Sequence, residues 1–422
     1  MPHPYARLFA HPGAKGFTVA GIIGRMPVAM ANVGIITMLA ATHGSYALAG
    51  GVAATFTLSM ALIAPQVSRL ADRHGQRRVL PPAAAISVVS LLVMLACVTL
   101  GAPSWALFAS AVPAGAMPSM SAMSRARWTE LHRGSPELRT AYAFESVADE
   151  LTFITGPALS VVLSTAAFAQ AGPLAAAAFL AVGVGLFTAQ RGTEPPARVP
   201  ADRGGRRTRF LGLPLAVLIL VLGAGGVIVG AVDVVAVAFA EELGAPGATG
   251  LVLSAYALGS AVSGLGFGAL NPRGRPHVLL VAAVAGTAAT TVPFLAVGGI
   301  AALAAAVFVS GLFFAPTMIL VMTLVEQIVP AERLTEGMTW ALTGLTVGTA
   351  GGTFAAGAAV EGSGTTGGFL VAVAAGGAAL AAVAAAAPLL GRAADRPARP
   401  GEGGETGGEP RTEEPRACGT PG

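Results

Sequence analysis

The sequence predicts an all-α membrane protein of twelve transmembrane helices in two pseudo-symmetric six-helix bundles. Three observations predict it. Of 422 residues, 54% are hydrophobic and only 11% charged, with a mean hydropathy of +0.71; soluble domains carry about 25% charged residues. The apolar residues gather into twelve runs, each near the ~20 residues that cross a bilayer as a helix. The basic residues fall in every second gap between those runs, the pattern left when positive charge is retained on one face of a membrane.

In chain order the runs are 17–41, 46–67, 79–100, 104–124, 140–165 and 171–190, then 211–240, 247–270, 277–297, 300–325, 337–360 and 367–390. Their many glycines and alanines suit close helix packing in lipid. Of the 25 lysines and arginines, all but Arg25 lie before the first run, in every second gap, or in the C-terminal tail. The other gaps, at 42–45, 101–103, 166–170, 241–246, 298–299 and 361–366, hold no basic residue, and their acids are Glu241, Glu242 and Glu361. This alternation puts both termini in the cytoplasm of a plasma membrane, the inner membrane of a bacterial cell. Arginine-, alanine- and glycine-rich usage with one lysine, Lys15, suggests a GC-rich bacterial genome.

Residues 1–190 then form an N-terminal bundle and 211–390 a C-terminal one. Residues 191–210 hold six arginines and Pro195-Pro196 and read as a flexible cytoplasmic linker. Residues 391–422, rich in Gly, Pro, Glu and Arg, read as a disordered cytoplasmic tail. The halves echo each other at a spacing near 200. Leu70, Arg73, Gly75 and Val79 recur as Leu270, Arg273, Gly274 and Val278, and Met117-Pro118-Ser119-Met120 as Ala315-Pro316-Thr317-Met318. Gly156 aligns with Gly352. Parallel repeats around a cavity belong to transporters that work by rocking.

Between the second and third runs stands Ser68-Arg-Leu-Ala-Asp72-Arg73-His-Gly75-Gln-Arg77-Arg78. Four arginines cannot lie in lipid, so this is a tight water-side hairpin in which Gly75 allows a positive φ. Asp72 can hold a neighbouring arginine or cap the next helix. The stretch resembles the signature hairpin of the major facilitator superfamily, Gly-x-Leu-Ala-Asp-Arg-x-Gly-Arg-Arg/Lys. It matches at Leu70, Ala71, Asp72, Arg73, Gly75 and Arg77 and departs at Ser68 and Gln76. The resemblance implies a two-bundle transporter, and a conformational latch at Asp72, Arg73, Gly75 and Arg77 that stabilises the outward-open state. Gly156-Pro157 in the fifth run resembles the Gly-Pro of that family's antiporter motif, though Ala158-Leu159-Ser160 follow where further glycines are usual.

Charges at membrane depth each cost about 2.5–3.5 kcal/mol at a helix centre and need a partner, a cavity or a function. Arg25 in the first run lies at a depth similar to Asp149 and Glu150 in the fifth, which allows an ion pair. Glu145 and Asp149 are four apart and share a helix face, while Glu150 turns about 100° away. One acid can therefore pair within the half while another faces a cavity, and Asp149 is the preferred proton carrier. Asp233 in the seventh run is either a solvated mouth residue or a proton or cation site.

Prolines Pro113 and Pro118 interrupt the fourth run and Pro316 the tenth, and broken helices at matching places point to a binding site. Around them Met117, Met120, Phe313, Phe314 and Met318 offer an adaptable apolar lining. Asn32 in the first run adds a polar group, as a cavity residue or an interhelix hydrogen bond. This lining suits an apolar or amphipathic compound better than a sugar.

Enzyme motifs are scarce. A phosphate loop needs a lysine and Lys15 is out of place for it, and no His, Cys and acid set has metal-ligand spacing. The reading is therefore a secondary transporter, not an enzyme, that exports a small apolar or amphipathic compound against inward proton flow. Import or facilitated diffusion is the alternative, and a non-transporting sensor or scaffold the second. No cofactor or metal is expected beyond an ion gradient. The expected partners are the small-molecule substrate and the lipid bilayer, with no nucleic acid, and the chain is expected to act as a monomer.

Overall fold

In the computed structural model, residues 8–133, 135, 137–197, 212–270, 274–329 and 334–394 are described. Their regular elements are all helical. Helix α1 (Ala14–His43) runs between two left-handed glycines, Gly13 and Gly44. Ser45 then caps α2 (Tyr46–His74), its hydroxyl accepting from the Leu48 N–H. Gly75 alone separates α2 from α3 (Gln76–Thr99), at φ +90°, so the hairpin is as tight as its charge demanded.

The fourth apolar run is two helices, α4 (Ser104–Ala114) and α5 (Met120–Leu131). Pro113 and Pro118 flank the break, and each lacks the N–H that would bond one turn back. Gly115 in the break lies against α2, where a Cβ would stand 2.5 Å from the Met60 backbone nitrogen. α6 (Glu137–Ala166) and α7 (Ala171–Ala189) complete the first bundle. α6 stays helical through Gly156-Pro157, and Gly156 admits Ala29 of α1 to 2.7 Å of where its own Cβ would be.

The second bundle comprises α8 (Leu213–Glu242), α9 (Thr249–Leu270), α10 (Pro276–Thr291), α11 (Ile300–Ile328) and α12 (Leu334–Ala394). Pro316 does not interrupt α11 as the sequence suggested. A single proline among strong helix formers is absorbed, whereas the two prolines and a glycine of the fourth run are not. α12 is far longer than one crossing and folds back at Gly364, its one non-helical residue, at φ +68°. The expected 361–366 gap therefore shrinks to that residue. Along the 334–363 arm, Gly344 meets Ile219 and Gly352 meets Val227 of α8. After the fold, Thr365 bonds Glu242, Gly368 meets Val235 and Gly391 meets His277. Among the described residues, ten helices are long and apolar enough to cross a membrane. The doubled α12 and the broken α4–α5 pair bring the crossings to twelve, in two bundles of six.

The start of the 191–210 stretch departs from a free linker. Residues Arg191–Thr193 form a 3-10 turn, and Thr193 is buried against the first bundle. Residues 198–211, and 395–422 of the expected tail, lie outside the described residues. The bundles repeat one another in detail. Gly44 and Gly244 close equivalent turns at the arginine-free end at φ +64° and +67°, and Gly156 and Gly352 both receive a neighbouring helix at close approach.

The halves meet mainly through α2 against α12 and α6 against α9. A Cβ on Gly50 would stand 2.5 Å from the Thr353 carbonyl oxygen, and one on Gly250 2.7 Å from Ala158. Ser254 of α9 donates to the Ile154 carbonyl of α6 at 2.5 Å. These contacts lie toward the end that carries no arginine. At that end the first turn of α2 is gripped by carboxylates of the other half. Glu361 accepts from the Ser45 hydroxyl at 2.6 Å and from the Ala47 N–H at 2.9 Å, and Tyr46 donates to Glu241.

Candidate functional site

The candidate site is built from charge that lipid does not tolerate, and it falls in two places. The first lies inside the N-terminal bundle. Arg25 of α1 is buried and reaches two acids of α6: Nη2 lies 2.5 Å from Glu145 Oε2 and Nη1 2.9 Å from Asp149 Oδ1. Glu145 and Asp149 share a helix face, so one guanidinium fork can hold both. Glu145 is fully buried, and its second oxygen accepts from the Trp128 indole at 2.8 Å. Asp149 is shared: Arg125 of α5 holds its other oxygen at 2.6 Å, and Ser121 donates to it as well. Glu150, expected among the buried charges, is exposed. It sits on the turned-away face of α6 and has no ion pair with a described residue.

The second place joins the halves. Asn32 of α1 donates from Nδ2 to Asp233 of α8 at 3.0 Å, and its Oδ1 accepts from the Thr57 hydroxyl of α2 at 3.0 Å. Asn32 and Asp233 are both half-buried. Asp233 makes no salt bridge with a described residue, and its one hydrogen-bond partner among them is Asn32. Tyr256 of α9 lies within electrostatic reach of Asp233, and its ring packs on Phe314 of α11 with centroids 5.9 Å apart. Asn32 and Asp233, read separately as a cavity residue and an ion site, are brought together by the packing of α1 on α8.

The apolar candidates do not form one surface. Met117 and Met120 are buried within the first bundle, Met117 in the break beside Pro118 and Met120 against Gly24 of α1. Phe313 fills the space left by Gly286 of α10, Pro316 is buried, and half-buried Met318 packs on the core of the second bundle. The reason is the helical turn: neighbours such as Phe313 and Phe314 point about 100° apart, so one packs inward while the other can face a cavity. Phe314 and Thr317 line an apolar cavity of ≈ 20 Å³ with Gly225 and Thr287. That volume holds about one water, so it is a packing defect and not a substrate chamber.

The hairpin residues share one turn but make no ion pair with one another. Asp72 and Arg73 are exposed, and Asp72 makes no ion pair with a described residue. The expected capping of α3 falls to Glu194, whose Oε1 accepts from the Arg77 N–H at 2.8 Å and lies beside Gly75. Gln76, where a basic residue would be usual, is buried and receives Arg127 Nε at 2.9 Å. Arg127 is itself buried, with its guanidinium carbon 3.8 Å from the centre of the Phe187 ring. It also donates to the Gln190 carbonyl and the Thr193 hydroxyl. Sequence reasoning missed Arg125, Arg127 and Trp128 because hydropathy ended the fourth run at 124; the substitution of Gln76 for a basic residue was the available signal.

The comparisons agree with this architecture. The sequence matches the Major Facilitator Superfamily over residues 17–236 and again over 218–416. No curated protein matches it significantly. Among solved structures, the nucleoside transporter NupG superposes with a TM-score of 0.70 at 15% identity, covering 89% of this chain and 98% of that one. A peptide transporter POT in complex with sulfate gives 0.66 at 14% identity, covering 91% and 96%. A bacterial homologue of the iron transporter ferroportin in an inward-facing state gives 0.66 at 16% identity, covering 90% and 98%. At such identities the likeness is one of fold, but the two sequence matches together span both bundles, and the chain belongs to the Major Facilitator Superfamily of membrane transporters.

Proposed function

We propose that this transporter exports a small apolar or amphipathic compound across the bacterial inner membrane in exchange for protons, as a monomer with both termini in the cytoplasm. The observation that carries the reading is the Asn32–Asp233 bridge between the halves. A carboxylate at membrane depth with no basic partner must be neutralised by something that arrives from solution. Because it bonds across the interface between the halves, that arrival changes how the halves hold together, which is what coupling requires. The halves are fastened at the arginine-free end, the outer one by charge asymmetry. The conformation is then inward-facing, ready to load from the cytoplasm, and an idle Asp72 fits a hairpin latch that engages in the opposite state. Gly156, which sets α6 on α1 beside this bridge, supports exchange over uptake.

The test uses everted membrane vesicles from cells with and without the protein, respiring so that their lumen is acid. A neutral lipophilic dye should accumulate in the lumen only with the protein present, and nigericin should abolish the accumulation. Accumulation in right-side-out vesicles with acid outside, and none in everted ones, would make the protein an importer.

A further inference from the structure

Glu150 is a charge for which a closed seam between the halves has no room. The halves touch along a stripe of α6 and α9: Ala158 meets Gly250, and the Ile154 carbonyl accepts from Ser254. A Cβ on Gly250 would stand 2.7 Å from Ala158, so no hydrated carboxylate fits between the helices there. At about 100° per residue, Glu150 lies one turn before Ile154 and within about 60° of that stripe, as do Val147 and Leu151. All three are exposed, as are Leu258 and Leu265 on the same side of α9. The helices have therefore parted toward the arginine-rich end, and a charge at this depth requires water in the gap. The apolar runs of the four helices that join the halves, α2, α6, α9 and α12, hold three charged side chains: Glu145, Asp149 and Glu150. The first two turn to Arg25 of α1.

Among the described residues no free cation faces Glu150. Of the elements packed against α6, α1 offers Arg25 at this depth, held by Glu145 and Asp149, and α5 offers Arg125, held by Asp149. Arg127 and Glu130 of α5 turn to Gln76 and Arg133. α7 has no titratable side chain, and the one on α9, Tyr256, stands about 200° round from Ser254. On α6 itself the Asp149 carboxylate repels the Glu150 charge. We propose that Glu150 is a cytoplasmic proton sensor for closure of the arginine-rich end. Charged, it keeps water in the α6–α9 seam and the seam open. Protonated from the cytoplasm, it lies against the apolar side of α9 and the halves close. That proton enters and leaves on the cytoplasmic side, so it permits closure without being carried across the membrane. This rests on the inward-facing assignment above, not on the direction of transport.

The test is the distance between spin labels at Ser146 on α6 and Val262 on α9, in the purified full-length protein without Cys97 and Cys418. Every sample also carries Asp233→Asn, which removes the other acid whose protonation bears on how the halves hold together. The closed form holds a proton that the open form lacks, so acid favours it. From about pH 8 to about pH 5.5 the short-distance population should rise roughly threefold or more. Adding Glu150→Gln, neutral at every pH, should give the raised population at both values. Adding Glu150→Asp, which still titrates, should keep the response. A response that survives Glu150→Gln overturns the sensor. So does a distance that stays long at both values with Glu150 present, and the inward-facing assignment then stands without the sensor. A distance that is short at both values contradicts that assignment and the sensor with it.

Discussion

Arg25 shows how far scarcity makes a residue readable. It is the one basic side chain deep within an apolar run, so its need for an acid was legible from hydropathy alone. Which acids it meets was not, because a sequence gives depth along a helix but not the rotation of α1 against α6. Removing one partner of a buried pair leaves an uncompensated charge, at a cost of about 3 kcal/mol. Arg25→Ala should therefore lower the thermal unfolding midpoint in detergent more than Arg25→Ala combined with Glu145→Gln. A double variant that loses the sum of the two single losses would mean that Arg25 and Glu145 act independently. Gly75 is the second legible residue: its φ of +90° is one that a side chain adopts at a cost of roughly 1 kcal/mol. Gly75→Ala should cut the yield of folded protein, and an unchanged yield would show that the turn can relax. Asp72 is the counterexample, since its capping partner was assigned by proximity and the bond went to Glu194, 117 residues from Arg77.

At the scale of elements, apolar runs gave the helices well and their ends poorly. The fourth run breaks because two prolines bracket a glycine. It then continues as α5 through Arg125, Arg127 and Trp128, which hydropathy reads as a loop although they are buried or salt-bridged in the bundle. The runs 337–360 and 367–390 are two crossings as expected, but the gap between them shrinks to the one non-helical residue, Gly364. The contact of α2 with α12 is set by small residues, and its test is steric. Gly50→Ala puts a methyl group 2.5 Å from the Thr353 carbonyl oxygen and should wedge the closed end apart. In a background without Cys97 and Cys418, a cysteine at Thr57 should react several-fold faster with a membrane-impermeant maleimide from the arginine-free side when Gly50→Ala is present. Glu361→Gln, which weakens the grip on the α2 N-terminus, should act in the same direction, since a carboxylate at a helix N-terminus contributes about 0.3–1 kcal/mol. Unchanged labelling in both variants would show that this contact does not hold the end shut.

For the whole molecule, the two-bundle plan was legible because it is written twice, at a constant spacing and with charge sorted to one face. The join between the bundles was not, because Asn32 and Asp233 become partners only when equivalent helices of the two halves face each other. These halves should rock about that bridge, so that one end closes as the other opens. Electron–electron distance measurements on spin-label pairs test it most directly, with one pair at Ala47 and Gly362 on the closed end and another at His74 and Glu336 on the opposite end. When pH is varied, any condition that lengthens the first distance should shorten the second. Two distances that stay fixed, or that lengthen together, would contradict it.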